Sequence, residues 1–177
     1  RYKAAAVCAC FPAALTPSSA SLACSQATCQ PQVLQLLTDA GFKSFQISDI
    51  RAEMWLKLWG NMSFNPISAM THATLVDICQ FDLTRTLART LMEEAQDVAN
   101  KLGITFRVDI DRRIGGAEKV GAHKTSMLQD IEALKPIEID AIMVAVKELG
   151  DLTNSPTPFI NTILNLTLQK AKLIGCL

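Results

Sequence analysis

The chain has 177 residues, of which 49% are hydrophobic and 19% are charged, and its 17 Lys and Arg residues balance 17 Asp and Glu residues. A chain of about 150 residues buries roughly 70% of the surface that its unfolded form exposes, so one domain with a substantial core is expected. The composition argues against an intrinsically disordered chain, a basic nucleic-acid binder and a protein that binds anionic membranes. The nearest candidate for a membrane span, residues 4–15, is broken by Pro12 and is shorter than the roughly 18 to 20 residues that a span needs.

The first thirty residues differ in composition from the rest and contain four of the six cysteines, Cys8, Cys10, Cys24 and Cys29. These intervals miss the usual Cys-x2-Cys pairing and no His lies nearby, so we expect no metal site. A disulfide framework is also not needed, because the remainder of the chain is long enough to form a core without cross-links. We therefore expect reduced thiols and a cytoplasmic protein.

Residues 1–30 also have the outline of a secretory signal, with basic residues first, an apolar middle and small residues before Ala23. Pro12 and the absence of an initiating Met weaken that interpretation. The Ala-, Ser- and Cys-rich composition stops abruptly at Pro31. We therefore predict a disordered or foreign leader at 1–30 and a single helical domain at 31–177.

From residue 31 onward, apolar residues recur at helical spacing and no run alternates as a strand would. In chain order, the predicted helices cover about 31–40, 50–70, 83–102 and 109–120, then one that begins at Ser126, one between Pro136 and Gly150, and one from Ser155 to Ile174. Gly41, Gly103 and Gly150 are typical of helix ends, and Pro66 is expected to kink the second helix. The predicted fold class is all-α.

Two of these helices have specific patterns. In the helix at 83–102, Arg89 and Glu93 are predicted to pair outside an apolar stripe made of Leu83, Leu87, Leu91, Ala95, Val98 and Leu102. In the next-but-one helix, Ser126 and Gln129 fit a capping box, which makes Ser126 the predicted N-cap.

Three polar side chains occupy the apolar face of the helix at 50–70. Lys57, Asn61 and Asn65 recur at every fourth residue, among apolar positions such as Met54 and Leu58. Polar groups buried without partners are costly, so this face is expected to meet something polar. The alternative is that Glu53 and Lys57, one turn apart, form an ordinary surface ion pair and that the asparagines are incidental.

Glu138 is a second irregularity, because it falls within the apolar stripe of Ile139, Ile142, Val146 and Leu149 and has no basic residue one turn later. The alternative is that Glu138 lies in the first helical turn after Pro136, where the helix dipole favours a carboxylate.

Two stretches carry a family resemblance, DIRAEMWLKLWGNMSFNPISAMT and GAHKTSMLQDIEALKPIEID. Together they resemble the C-terminal helical domain of ketopantoate reductase (2-dehydropantoate 2-reductase), which is of the 6-phosphogluconate dehydrogenase-like type, over roughly Val33 to Ile174. The resemblance implies an oxidoreductase in which an N-terminal Rossmann domain binds NADPH and the helical domain closes over the substrate. The implied reaction is the reduction of 2-dehydropantoate to pantoate, in pantothenate and coenzyme A biosynthesis.

The resemblance also implies a role for each residue of the site. Lys57 stands at the family's catalytic lysine, which donates a proton to the ketone oxygen. Asn61, Asn65 and Ser126 match substrate-binding residues, and Glu138 matches a glutamate that helps to bind the reactants, which we assign to the cofactor. A further asparagine found in some members is Leu75 here, which departs from the family's hydroxyl-binding pocket.

The sequence contains no Gly-x-Gly-x-x-Gly motif after a strand, and Gly115 and Gly116 lie in a helical context. We therefore expect the chain to hold the acid and the substrate ligands but to need a Rossmann partner domain, and to be inactive alone. Two alternatives stay open, namely an oxidoreductase of the same superfamily for another 2-keto or hydroxy acid, and a non-enzymatic helical interaction module. A homodimer is also left open.

Overall fold

The computed structural model describes residues 31–44 and 46–177, so the predicted leader at 1–30 lies outside the described residues. The described residues divide into two compact units, of which the first ends at Ile50 and the second covers 51–177. In the described part of the first unit, helix α1 covers 31–39 and is followed by Gly41, whose φ of +82° is a conformation that glycine adopts without strain. The prediction of a short helix ended by Gly41 is confirmed.

The later helices follow one another with short connections, and the described residues contain no β-strand. Their bounds are α2 (Ile50–Thr71), α3 (Leu75–Gln80), α4 (Asp82–Lys101), α5 (Ile110–Val120), α6 (Ser126–Glu132), a π-helical segment (Asp140–Val144), α7 (Ala145–Leu152) and α8 (Pro158–Ile174). The predicted all-α class is confirmed. None of the described helices combines the length and the apolar character that crossing a bilayer requires.

Helix α2 is the most deeply buried element of the second unit, and its residues from Met62 to Ala69 are all buried. The indole of Trp59 donates to the carbonyl oxygen of Met92 on α4 at 2.7 Å, and its ring stacks on Phe106 with 4.2 Å between centroids. Pro66 lies inside α2, and the helix continues past it to Thr71. These contacts hold α2 against α4 and against the loop that precedes α5.

Helix α4 agrees with the predicted helix to within one residue at each end, but its buried face coincides only in part with the predicted apolar stripe. Its buried residues are Ala88, Leu91, Met92, Ala95, Val98 and Ala99. Leu83 is 72% exposed, so its assignment to the stripe is wrong. The predicted Arg89–Glu93 pair is also wrong, because Arg89 pairs instead with Asp111 on α5.

The region after α6 differs most from the prediction. Residues 133–138 are non-helical and precede the π-helical segment. Helix α7 follows the π-helical segment directly. Glu138 is exposed and stands before the helix, so its predicted place within the apolar stripe is wrong. The prediction assumed an α-helical turn of 3.6 residues through residue 138, whereas here the helix begins later and opens with wider π turns.

Helix α6 begins at Ser126, as predicted. Its N-cap, however, is Thr125, whose hydroxyl accepts from the backbone N–H of Leu128 at 3.3 Å, so the prediction of Ser126 as the cap is wrong by one residue. Gln129 takes no part in a capping box, because its amide donates to the carbonyl of Lys124. Helix α8 begins at Pro158 rather than at Ser155, with proline at its first position, where a missing N–H costs nothing.

Candidate functional site

Lys57 lies in an open groove between α2 and the α5 side of the second unit. The groove has a volume of about 490 Å³ and is lined by Glu53, Leu56, Lys57, Arg107, Val108, Arg112, Arg113 and Gly116. That volume is within the range of about 300 to 1,000 Å³ typical of small-molecule sites. Four lining residues are cationic and one is a carboxylate, so the groove suits an anionic ligand.

The carboxylate of Glu53 is held by Arg107 rather than by Lys57. Arg107 donates to its two oxygens at 2.8 and 3.1 Å, in the paired geometry that guanidinium and carboxylate favour. Within residues 31–44 and 46–177, the Lys57 amine has no ion pair and no hydrogen bond, and its side chain is exposed. The alternative of a Glu53–Lys57 surface pair is therefore wrong, and Lys57 is free to meet a ligand.

Arg113 reaches the same groove from α5 and packs directly against α2. A Cβ added to Gly60 would lie only 1.8 Å from a terminal nitrogen of the Arg113 guanidinium, so this close approach requires glycine at position 60. Burial lowers the pKa of Arg113 below its ordinary value. Glycine inside a helix costs about 1 kcal/mol relative to alanine, and here it makes room for a cation beside Lys57.

The two asparagines follow Lys57 along α2 but differ in exposure. Asn61 is half-buried, one turn after Lys57. Asn65 is only 4% exposed, and its amide nitrogen has no hydrogen-bond partner among the described residues. A buried amide donor without a partner is costly, so the Asn65 amide is a candidate for binding a group from outside the described residues.

Ser126 and Glu138 are both exposed, and neither lines the groove around Lys57. Because Thr125 caps α6, the Ser126 hydroxyl is not needed for capping. Of the five predicted site residues, only Lys57 lines the groove, and the convergence of all five on one cleft stays a prediction. Sequence reasoning missed Arg107, Arg112 and Arg113, although a glycine within α2 and the adjacent arginines are signals that could have indicated a cation packed on that helix.

Residues 49–171 match the sequence profile of a family described as "Ketopantoate reductase PanE/ApbA C terminal". The match covers most of the chain and includes both motifs that carried the resemblance. The chain belongs to the ketopantoate reductase C-terminal domain family. The resemblance inferred from the sequence is thereby confirmed, and the family consists of oxidoreductases.

A curated 2-dehydropantoate 2-reductase from Mesorhizobium japonicum is 52% identical over 140 residues, which are 79% of this chain and 43% of that protein. The chain thus spans less than half the length of the first curated relatives that it matches. Among solved structures, a protein described as a ketopantoate reductase from Ralstonia solanacearum is 33% identical with a TM-score of 0.77. That similarity covers 83% of this chain and 44% of the other.

The fold also occurs in an enzyme for a different hydroxy acid. A D-mandelate dehydrogenase solved with NADH superposes with a TM-score of 0.73 at 21% identity, over 81% of this chain and 50% of that one. At this identity the similarity shows the fold alone.

Proposed function

We propose that this chain is the substrate-binding, proton-donating domain of an NADPH-dependent reductase that converts 2-dehydropantoate to pantoate. The observation that carries the proposal is the free Lys57 amine in a cationic groove, since Glu53, the carboxylate nearest in sequence, is taken by Arg107. The 52% identity to a 2-dehydropantoate 2-reductase supports this choice of substrate.

Lys57 acts on the ketone oxygen. NADPH, when bound, supplies the hydride that attacks the carbonyl carbon. Negative charge then develops on the oxygen, and an ammonium within hydrogen-bond reach stabilises that charge and donates the proton. Lys57 is exposed on the groove side of α2, where a substrate can approach its amine.

Amide and hydroxyl groups suit the remaining polar atoms of the substrate. Asn65 offers an unpartnered amide donor, and Asn61 stands one turn closer to Lys57. Ser126 offers a hydroxyl that capping does not occupy. These neutral groups are suited to hydrogen-bond a substrate hydroxyl.

The chain itself provides little for the cofactor. Glu138 is exposed, and within the described part of the chain its carboxylate has no ion pair or hydrogen bond, so it is suited to accept hydrogen bonds from ribose hydroxyls. The sequence has no glycine-rich turn to hold the phosphates, which must therefore bind to a separate Rossmann domain.

A chimera tests the role of Lys57. The helical domain replaces the matching region of the Mesorhizobium japonicum relative, and kcat is measured with NADPH and 2-dehydropantoate. Lys57→Ala should lower kcat by about 10²-fold or more, as expected for the loss of a positioned acid. The melting temperature should hardly change, because Lys57 is exposed and has no partner in the described part of the chain.

Lys119→Ala is the matched control, since Lys119 is also an exposed lysine on a helix but lies outside the groove. It should leave kcat unchanged. Equal kcat values for the Lys57→Ala variant and the unmodified chimera would refute the proton-donor assignment.

A second function, reduction of another 2-keto acid, is favoured by one observation. Leu75 stands where some members of the family have an asparagine. Comparing kcat/KM of the chimera for 2-dehydropantoate and for phenylglyoxylate decides between them. A higher kcat/KM for phenylglyoxylate would overturn the assignment of pantoate formation and would assign reduction of aromatic keto acids instead.

A further inference from the structure

The groove around Lys57 has more positive charge than its own residues neutralise. Glu53 is its only carboxylate, and both of its oxygens accept from Arg107. Lys57, Arg112 and Arg113 have no ion pair within the part of the chain that the structure describes. Three uncompensated cations around one groove repel one another, so the groove favours a ligand that carries negative charge.

Arg113 is the cation best placed to fix such a ligand. It is half-buried, whereas Lys57 and Arg112 are exposed. Its guanidinium lies against the backbone of α2 at Gly60, where no Cβ could be accommodated without moving it. A guanidinium held in place loses less entropy on binding, and partial burial strengthens its hydrogen bonds relative to those of an exposed side chain.

We propose that Arg113 binds the carboxylate of the 2-keto acid substrate, and that Gly60 is present to let the guanidinium approach α2 beside Lys57. The inference rests on the proposed function and adds a residue that selects the substrate class. It predicts that the site takes 2-keto carboxylates and discriminates against neutral ketones.

The chemistry of a 2-keto acid explains why the two cations share one groove. The carboxylate carbon is bonded directly to the ketone carbon, so a group that holds the carboxylate and a group that protonates the ketone oxygen must lie close together. Arg113 and Lys57 line the same groove, from α5 and α2, so both cations border the space that such a ligand would occupy. The planar guanidinium matches the two oxygens of a carboxylate, whereas the ammonium acts as a single-point donor.

Binding to the 177-residue chain, followed by NMR titration, tests the inference without any catalysis. The probes are 3-methyl-2-oxobutanoate, its neutral methyl ester, isobutyrate, which lacks the ketone, and inorganic phosphate. Arg113→Gln should raise the Kd of the keto acid by about 10- to 100-fold, the usual effect of losing a charge-assisted hydrogen bond. Arg113→Lys should recover only part of the affinity, and the ester should bind weakly to every variant.

Gly60→Ala provides an independent variant, because a methyl group there displaces the guanidinium while alanine favours the helix. Like Arg113→Gln, Gly60→Ala should raise the Kd of the keto acid, and it should do so without loss of helical content. Arg89→Gln is the matched control, since Arg89 pairs with Asp111 outside the groove, and it should leave every Kd unchanged.

The outcomes separate this inference from the proposed function. If the keto acid binds equally well to the unmodified chain, to Arg113→Gln and to Gly60→Ala, the role of Arg113 is refuted and the proposed function stands. Tighter binding of phosphate than of the keto acid would also overturn the carboxylate assignment. If isobutyrate binds as tightly as the keto acid and depends equally on Arg113, the carboxylate subsite stands and the keto-acid reductase function loses its support. No binding of any carboxylate to the unmodified chain would overturn the inference.

Discussion

Asp77 ties the start of α3 to the residue before it. Its carboxylate accepts from the hydroxyl of Thr74 at 2.5 Å and from the backbone N–H of Thr74 at 2.9 Å. These hydrogen bonds, the side-chain one foremost, lower the pKa of Asp77 below its ordinary value. Because the folded pKa lies below the unfolded one, the ionised carboxylate stabilises the fold above the unfolded pKa, and this stabilisation is lost as the pH falls through the folded pKa.

Asp77→Asn should therefore lower the melting temperature at neutral pH, and the difference from the unmodified chain should shrink as the pH falls below about 4, near the unfolded pKa of an aspartate. Thermal unfolding followed by circular dichroism across that range measures the effect. Asp82→Asn, in the first turn of α4, is the control, since Asp82 accepts no side-chain hydrogen bond from the described residues and its effect should be smaller. A difference at Asp77 that persists unchanged into acid would contradict this account.

At the scale of elements, α4 anchors α7 and α8 through their ends. Glu94 accepts from the backbone N–H groups of Phe159 and Ile160 at 2.9 and 2.8 Å, which satisfies two donors that begin α8. Lys101 donates to the carbonyl oxygens of Thr153 and Asn154 after α7, at 3.2 and 2.8 Å. The helix dipole favours both contacts, because the negative carboxylate of Glu94 lies at the N-terminus of α8 and the positive amine of Lys101 lies at the C-terminus of α7.

Glu94→Ala should lower the free energy of unfolding by about 1 to 2 kcal/mol, because it removes the cap of α8 and leaves two N–H groups without their acceptor. Glu93→Ala is the matched control, since Glu93 is its exposed neighbour on the same helix and has no partner among the described residues. Its cost should be at most about 0.5 kcal/mol. Urea denaturation compares the two variants, and equal losses would show that Glu94 does not act as a cap.

At the scale of the whole molecule, the proposed reaction needs a nucleotide site, and the glycine-rich motif typical of such a site does not occur in these 177 residues. No glycine-rich turn is available to hold cofactor phosphates, and the chain spans 43% of the Mesorhizobium japonicum relative. We therefore predict that the 177-residue chain alone does not oxidise NADPH in the presence of 2-dehydropantoate. The absorbance of NADPH reports this directly, with the chimera as the positive control, and turnover above background by the chain alone would refute it.

The sequence by itself determined the fold class, most helix bounds and the family. Helical periodicity, Gly41 and Gly103 are local signals, and each acts within a few residues of the element that it shapes. The motifs around Lys57 and Ser126 are also continuous in sequence, so they could be recognised without any knowledge of tertiary contacts.

Only the tertiary structure decided which partners Glu53 and Arg89 take. Glu53 pairs with Arg107 rather than with Lys57, and Arg89 pairs with Asp111 rather than with Glu93. In each case the pair with an oppositely charged residue one helical turn away does not form, and the partner comes from another segment. An exposed pair one helical turn apart is worth only about 0.3 to 0.5 kcal/mol, so packing between segments easily overrides it.

Packing between segments also explains why several cations surround the groove at Lys57. Arg113 meets Gly60 because α5 packs beside α2, a proximity that no local pattern encodes. The non-helical stretch before the π-helical segment is likewise bound to a distant part of the chain, since the backbone N–H of Ile137 donates to the carbonyl of Cys176. Residue types and helical period are properties of the sequence, whereas the cations that surround Lys57 are brought together only when the helices pack.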